Sequence, residues 1–329
     1  MTNPILSDAD IDLAAMHGKA VAIIGYGNQG RAQALNLRDS GITVHIGLRP
    51  GSSREALARD DGFDPQPMAD AAAAGDIVML LVPDEVQADL WNGTLAAAVR
   101  KGATIGFAHG LTIHYKLIAP APDLDIILVA PKGPGKALRA EYATGRGILG
   151  LIAVAQDASG TARATALAYA GAIGCGRAGI LESSFQQETE ADLFNEQGVL
   201  WGVIPELIEA GFDTLVEAGF APEIAYFECL TEVKLLGDLV YERGIAGMRE
   251  AISNTAEFGA AQGSGRIVTE AARAEMKRIL GEVQDGSFVR KLVADARKGY
   301  PTLTASRARA AAHPIEAVGQ RMRAIRDKS

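Results

Sequence analysis

The chain has 329 residues, 32 of them basic and 40 acidic for a net charge of −8, with 48% hydrophobic and 22% charged residues. At about 150 residues per domain this is roughly two folded domains, and the composition excludes a largely disordered chain. The acidic balance excludes a general binder of nucleic acid or of an anionic membrane and leaves a small molecule as the partner. The two cysteines, Cys175 and Cys229, have no metal-ligand spacing and form no disulfide framework. The longest uncharged runs, such as Ala164 to Gly176, fall short of the ~20 apolar residues of a membrane helix. The expectation is a soluble, unprocessed, cytoplasmic protein.

Lys19 opens an apolar run, Ala20 to Ile24, that leads into Gly25-Tyr26-Gly27-Asn28-Gln29-Gly30 and then a helically spaced segment, Arg31 to Arg38. Strand, tight turn and helix in this order are the context that GxGxxG requires for a dinucleotide pyrophosphate: Gly25 makes the turn, Gly27 admits the ligand and Gly30 packs helix on strand. A second run, Thr43 to Leu48, completes a βαβ unit. It ends in Arg49-Pro50-Gly51-Ser52-Ser53-Arg54 rather than in the acid that holds an NAD ribose, and the first acid is Glu55. Arg49, Ser52 and Arg54 suit a 2′-phosphate, which points to NADPH.

Further apolar runs follow at 76–83, 103–107, 125–131 and 148–154 with helical segments between them, so the first half is expected to be an α/β Rossmann domain with a doubly wound parallel sheet. Ligands in such sheets lie beyond the strand C-termini, which singles out Asp84-Glu85-Val86-Gln87, Ala108-His109-Gly110 and Pro131-Lys132-Gly133-Pro134-Gly135. His109 stands where the nicotinamide end of a cofactor would lie, as a proton-transfer group or as a loop hydrogen-bonder. Lys132 either orients an anionic substrate or lies on the surface.

Near residue 183 the alternation gives way to helical periodicity, dividing the chain into 1–183 and an all-α 184–329. Glu188, Asp192 and Glu196 share a helical face, as do Glu228 and Glu232 in a helix starting at Pro222 and ending near Gly244. Glu228 sits among Ala225, Tyr226, Phe227, Cys229 and Leu230, a stretch too apolar for a freely solvated acid. Such carboxylates pair with basic residues or bind a cation, and two i,i+4 pairs fit one or two Mg2+ ions.

These blocks in this order, with Phe107-Ala-His-Gly110, Val129-Ala-Pro-Lys-Gly-Pro-Gly135, Glu188 to Gln197, Leu215 to Gly219, Glu223 to Glu228 and Ile252 to Glu257, closely resemble the short, class I form of ketol-acid reductoisomerase. The resemblance spans nearly the whole chain. It implies a Rossmann domain followed by a knotted helical domain that builds the active site with a second subunit, hence a homodimer or larger homo-oligomer. It implies Asp192, Glu196, Glu228 and Glu232 as ligands of two Mg2+, Ser253 as a substrate contact, and His109 in proton transfer. Tyr26 to Gln29, Arg49, Ser52, Asp84, Glu85, Val86, Gln87 and Gly135 match NADPH-binding positions.

The implied reaction carries 2-acetolactate or 2-aceto-2-hydroxybutyrate through an alkyl migration to a 2-keto-3-hydroxy acid, then reduces it with NADPH. The chain departs from the family pattern at Asn28, Arg54, Leu111-Thr112, Asn195, Trp201-Gly202-Val203 and Thr231. The departures leave open a paralogue doing the same chemistry on another 2-hydroxy-keto acid. A metal-independent hydroxyacid dehydrogenase is the other enzymatic alternative, and a dinucleotide-sensing scaffold without chemistry the non-enzymatic one.

Overall fold

The apolar runs of the first half become neighbouring strands of one sheet in the computed structural model, which describes residues 4–326. In chain order they are β1 (Ile5–Leu6), β2 (Ala20–Ile24), β3 (Thr43–Leu48), β4 (Pro65–Pro67), β5 (Ile77–Leu80), β6 (Thr104–Phe107), β7 (Asp125–Pro131), β8 (Gly150–Gln156) and β9 (Ile180–Glu182). Their spatial order is β1-β9-β8-β7-β6-β5-β2-β3-β4. The six strands from β4 to β7 are parallel. Their order reverses at β2, so a crevice opens there beyond the strand ends.

Each buried strand sends alternate side chains to opposite faces. Val21, Ile23, Ile77, Met79, Ile127 and Val129 join one core cluster, and Ala22, Ile24, Val78, Leu80, Ile126 and Leu128 join the other. Helices α1 (Asn28–Asp39), α2 (Glu55–Asp60), α3 (Met68–Ala74), α4 (Asp84–Leu90), α5 (Ala96–Ala98), α6 (Leu111–His114), α7 (Gly135–Ala143) and α8 (Ala162–Ala172) cover the sheet. At roughly 1.5–3 kcal/mol for each fully buried aliphatic side chain, this two-sided core is what holds the strand ends level. Ile24 lies opposite both Gly47 and Leu80, and Leu80 lies opposite Phe107. The loops after β2, β5 and β6 therefore form one row, and β7, whose Leu128 lies opposite Phe107, ends at Pro131 just beyond it.

The expectation of a parallel sheet fails at β8 and again at the β1 edge. β8 runs antiparallel to β7, with Gly150 opposite Pro131. The physical reason is in the connection: α7 packs on α1 and the chain returns through Gly145-Arg146-Gly147 to the edge it left, without crossing the sheet. β9 then pairs parallel with β8, and β1 closes that edge antiparallel.

By compactness the chain divides at Ala191 and Asp192, inside helix α9 (Phe185–Asn195). The second unit contains α10 (Val203–Glu217), α11 (Pro222–Tyr226), α12 (Glu232–Ala251), α13 (Asn254–Gly263), α14 (Glu270–Gln284), α15 (Ser287–Arg297), α16 (Pro301–Ala312) and α17 (Pro314–Arg326). Its small core gathers Phe212, Ala225, Tyr226, Ile315 and Val318. Two π-turns, Glu196–Leu200 and Phe227–Thr231, extend α9 and join α11 to α12, and α10 packs against both. The helix from Pro222 kinks at Gly244, where φ is +69°. Among the described residues no helix is long and apolar enough to cross a membrane.

Candidate active site

The turn after β2 is shaped by its glycines. Gly25 takes φ +101°, and a Cβ there would press within 2.9 Å of the Leu81 carbonyl oxygen. A Cβ on Gly30 would collide with the Gly25 carbonyl, so the third glycine is demanded by helix packing. Gly27 differs: a Cβ there meets nothing within 4 Å. Its small size serves no neighbour in the chain, and it fits the close approach of a ligand.

Gly135, at the start of α7, has no room for a side chain because the Asn28 carbonyl occupies the place. Two helix N-termini thus lie side by side, and neither first turn carries an acid. Converging N–H groups and aligned dipoles make this an anion cradle of the kind that takes a pyrophosphate.

Several side chains singled out from the sequence are engaged internally. The Tyr26 phenol is buried and donates to Asp61 Oδ2 at 2.9 Å; burial first, and Asp61 second, raise its pKa above the ordinary phenol value. The Gln29 amide donates to the Gly133 carbonyl at 2.9 Å and accepts from Gln33 Nε2 at 3.1 Å, while buried Tyr169 donates to Gln33 at 2.8 Å. This relay fixes the loop after β7 against the glycine turn. Gln87 is buried as well, its amide shared among Val82, Asp84 and Thr112. Tyr26, Gln29 and Gln87 therefore offer a cofactor their backbone, with their side chains holding the loops.

At the end of β3 the loop is cationic. Arg49 and Arg54 are exposed, and neither guanidinium forms an ion pair among the described residues. Ser52 Oγ accepts the Arg54 N–H at 3.2 Å and keeps its own proton to donate. Glu55, the first acid, is held by the Gly51 N–H at 3.0 Å and by Arg59 at 3.5 Å.

Beyond β6 and β7 the structure builds a hub that the sequence pattern left hidden. The Glu188 carboxylate, with a side chain only 1% exposed, accepts from His109 Nδ1 at 3.1 Å, from the Gly110 N–H at 3.0 Å and from Lys132 Nζ at 2.9 Å. Burial pushes its pKa up, yet the bonds and charges of His109 and Lys132 outweigh burial and hold it at about 2. An ionised carboxylate so deep is stable only with such partners. The i,i+4 spacing to Asp192 gave no sign of the His109 and Lys132 partners. The usable signal was the helix start, where the buried Phe185 and Thr189 flank Glu188.

The acids of the second unit stand at the π-turns. Glu196 opens the first, and Glu228 and Glu232 lie in and just after the second. π-turns concentrate at functional sites because the extra residue re-aims side chains. The expected burial of Glu228 is not found: Ala225 and Tyr226 turn inward while Phe227 and Glu228 are exposed, because one helical face alone reaches the small core. Among the described residues neither Glu228 nor Glu232 forms an ion pair, although Lys234 pairs with Asp238 and Arg321 with Glu223 at 2.5 Å each. Glu228 and Glu232 offer hard-oxygen donors of the kind that Mg2+ takes. Ser253 caps α13, its Oγ accepting the Ala256 N–H at 3.2 Å.

A glycine turn with an anion cradle beside a His–Lys pair on a buried carboxylate, at the carboxyl edge of a Rossmann sheet, defines a nicotinamide-dependent oxidoreductase. Residues 15–179 match the family model of the acetohydroxy acid isomeroreductase NADPH-binding domain, and residues 185–328 match that of the ketol-acid reductoisomerase C-terminal domain. The chain belongs to the ketol-acid reductoisomerase family and is an NAD(P)-dependent enzyme of that kind. It is 44% identical to an NADH-preferring ketol-acid reductoisomerase from an uncultured archean, over 97% of this chain and 98% of that one, with a TM-score of 0.94.

More distant structures share the fold alone. A semialdehyde dehydrogenase NAD-binding protein from Cupriavidus necator is 18% identical, covering 79% of this chain and 99% of its own, at a TM-score of 0.56. A 1-pyrroline-5-carboxylate reductase from Streptococcus pyogenes is 15% identical, covering 81% and 98%, at 0.54.

Proposed function

We propose that the chain is a Mg2+-dependent ketol-acid reductoisomerase. It converts 2-acetolactate, or 2-aceto-2-hydroxybutyrate, with NADPH to the 2,3-dihydroxy acid, a step in making valine and isoleucine. The observation that carries this reading is the Glu188 hub, which presents His109 and Lys132 together at the row of strand ends that holds the cofactor cradle. Glu188 accepts the Nδ1–H of His109, so the imidazole exchanges protons at Nε2. Lys132 keeps a positive charge beside an anionic substrate while neutralising Glu188.

Asp192, Glu196, Glu228 and Glu232 would hold two Mg2+ ions, which supply Lewis acidity toward the substrate's oxygen atoms. Ser253 contributes its hydroxyl to the substrate. Two of the departures from the family pattern, Leu111 and Thr112, are buried, and Thr112 is turned to Gln87, which favours the family's usual substrates over those of a paralogue.

The preference for NADPH rests on Arg49, Ser52 and Arg54 and on the engagement of Glu55 within its own loop. The archaeal relative prefers NADH, so kcat/KM with each cofactor is the direct comparison; at least a tenfold advantage for NADPH is expected, and an NADH advantage contradicts the assignment. Product identity is checked by 13C NMR of labelled 2-acetolactate: the 2,3-dihydroxy acid supports the reading, and unreacted substrate refutes it.

The protein acts in the cytoplasm as a homodimer or larger homo-oligomer. Helix α12 has 20 residues and none buried, with Leu235 60% and Tyr241 89% exposed, a surface that a second copy would cover. Light scattering at assay concentration checks this, and a monomer overturns it.

A further inference from the structure

We propose that Thr112 is a positioning residue: through Gln87 it ties the turn after β5 to the helix that follows His109, and so sets the nicotinamide end of the cofactor against the imidazole. The inference rests on the reading of His109 and the cofactor cradle given above.

Thr112 and Gln87 are both buried. Thr112 Oγ1 donates to Gln87 Oε1 at 2.6 Å, and Gln87 Nε2 donates to the Val82 carbonyl at 3.1 Å and to Asp84 Oδ1 at 3.0 Å. Only one amide orientation serves all three contacts, since a flipped Gln87 would set its oxygen against two acceptors. The same turn is pinned from its other side, where the Leu81 N–H donates to the Ile24 carbonyl at 2.9 Å and the Leu81 carbonyl lies beside Gly25. A continuous set of contacts thus runs from the glycine turn through residues 81–87 to Thr112, three positions after His109. A valine has the shape of threonine and would fill the same space. The hydroxyl itself, at 0% exposure, is there for its bond.

The test compares Thr112→Val, Thr112→Ser and the wild-type protein with Mg2+ present. The 2-keto-3-hydroxy acid is supplied directly, so that only the reduction is read. Loss of one buried hydrogen bond that orients the reacting groups predicts a kcat about tenfold lower for Thr112→Val, with the KM for NADPH within about twofold of wild type. Thr112→Ser is expected to return kcat to within about twofold of wild type.

A second readout needs no turnover: the fluorescence anisotropy of bound NADPH falls in Thr112→Val if the nicotinamide is loosened, at unchanged affinity. Lower melting temperature with wild-type kcat and anisotropy overturns the proposal, as does an equal loss in Thr112→Ser. If wild type does not reduce the keto acid, the reductoisomerase reading fails, and the anisotropy alone then decides for or against the tether. Should Thr112→Val melt below the assay temperature, Gln87→Met removes the other end of the bond and must give the same pattern.

Discussion

Replacing Glu188 by Gln keeps the volume and one acceptor oxygen but removes the charge that His109 and Lys132 share. The carboxylate is held at about 2 against an ordinary 4.5, which corresponds to about 3 kcal/mol at ~1.4 kcal/mol per tenfold. Because the folded pKa lies below the unfolded one, the unfolded chain binds the extra proton. The stabilisation is therefore in place above about 4.5 and is lost as pH falls through about 2. For Glu188→Gln at neutral pH, urea unfolding is expected to show a loss of about 1–3 kcal/mol, and the fall of stability toward acid should be shallower than in wild type. The freed imidazole no longer has its tautomer and orientation fixed, so kcat should drop about 100-fold. A variant with the wild-type urea midpoint, acid slope and kcat would refute the role assigned to this hub.

The glycines separate ligand approach from packing: Gly27→Ala should melt like wild type and weaken NADPH binding at least about tenfold, whereas Gly30→Ala should lose about 1–3 kcal/mol of stability. Calorimetry on both variants checks this, and equal melting losses would contradict it. Arg49→Ala with Arg54→Ala should raise the KM for NADPH about tenfold or more and leave that for NADH nearly unchanged; parallel changes for the two cofactors would show that the arginines do not read the 2′-phosphate. Glu228→Gln should abolish Mg2+-dependent turnover without lowering the melting temperature, since the side chain is exposed and outside every ion pair among the described residues. Retained Mg2+ affinity by titration would remove it from the metal set.

The glycine turn and five of the six parallel strands were legible because each answers to a local rule, whereas β4, Pro65-Gln66-Pro67, has no apolar run to announce it. A buried strand needs an apolar run, and a turn at φ +101° needs Gly25. The reversal of β8 was not legible, because it depends on where α7 packs and not on any residue in β8. The role of Glu188 was not legible for a similar reason: i,i+4 spacing places acids on one face but does not say which neighbour each one meets. Glu228 is the opposite case: apolar neighbours in sequence point away from the acid when only one face of the helix is covered. Gln29, Tyr26 and Gln87 stand in a cofactor motif, yet their side chains serve the loops, a division that only their partners in space reveal.

The central claim is that one chain couples a metal-assisted rearrangement to reduction by NADPH. It is tested most directly by following NADPH oxidation at 340 nm with 2-acetolactate, first with Mg2+ and then with excess EDTA. Oxidation that requires Mg2+ and stops on chelation is the predicted result. Oxidation that persists undiminished in EDTA, or none at all in the presence of Mg2+ and bound NADPH, would contradict it.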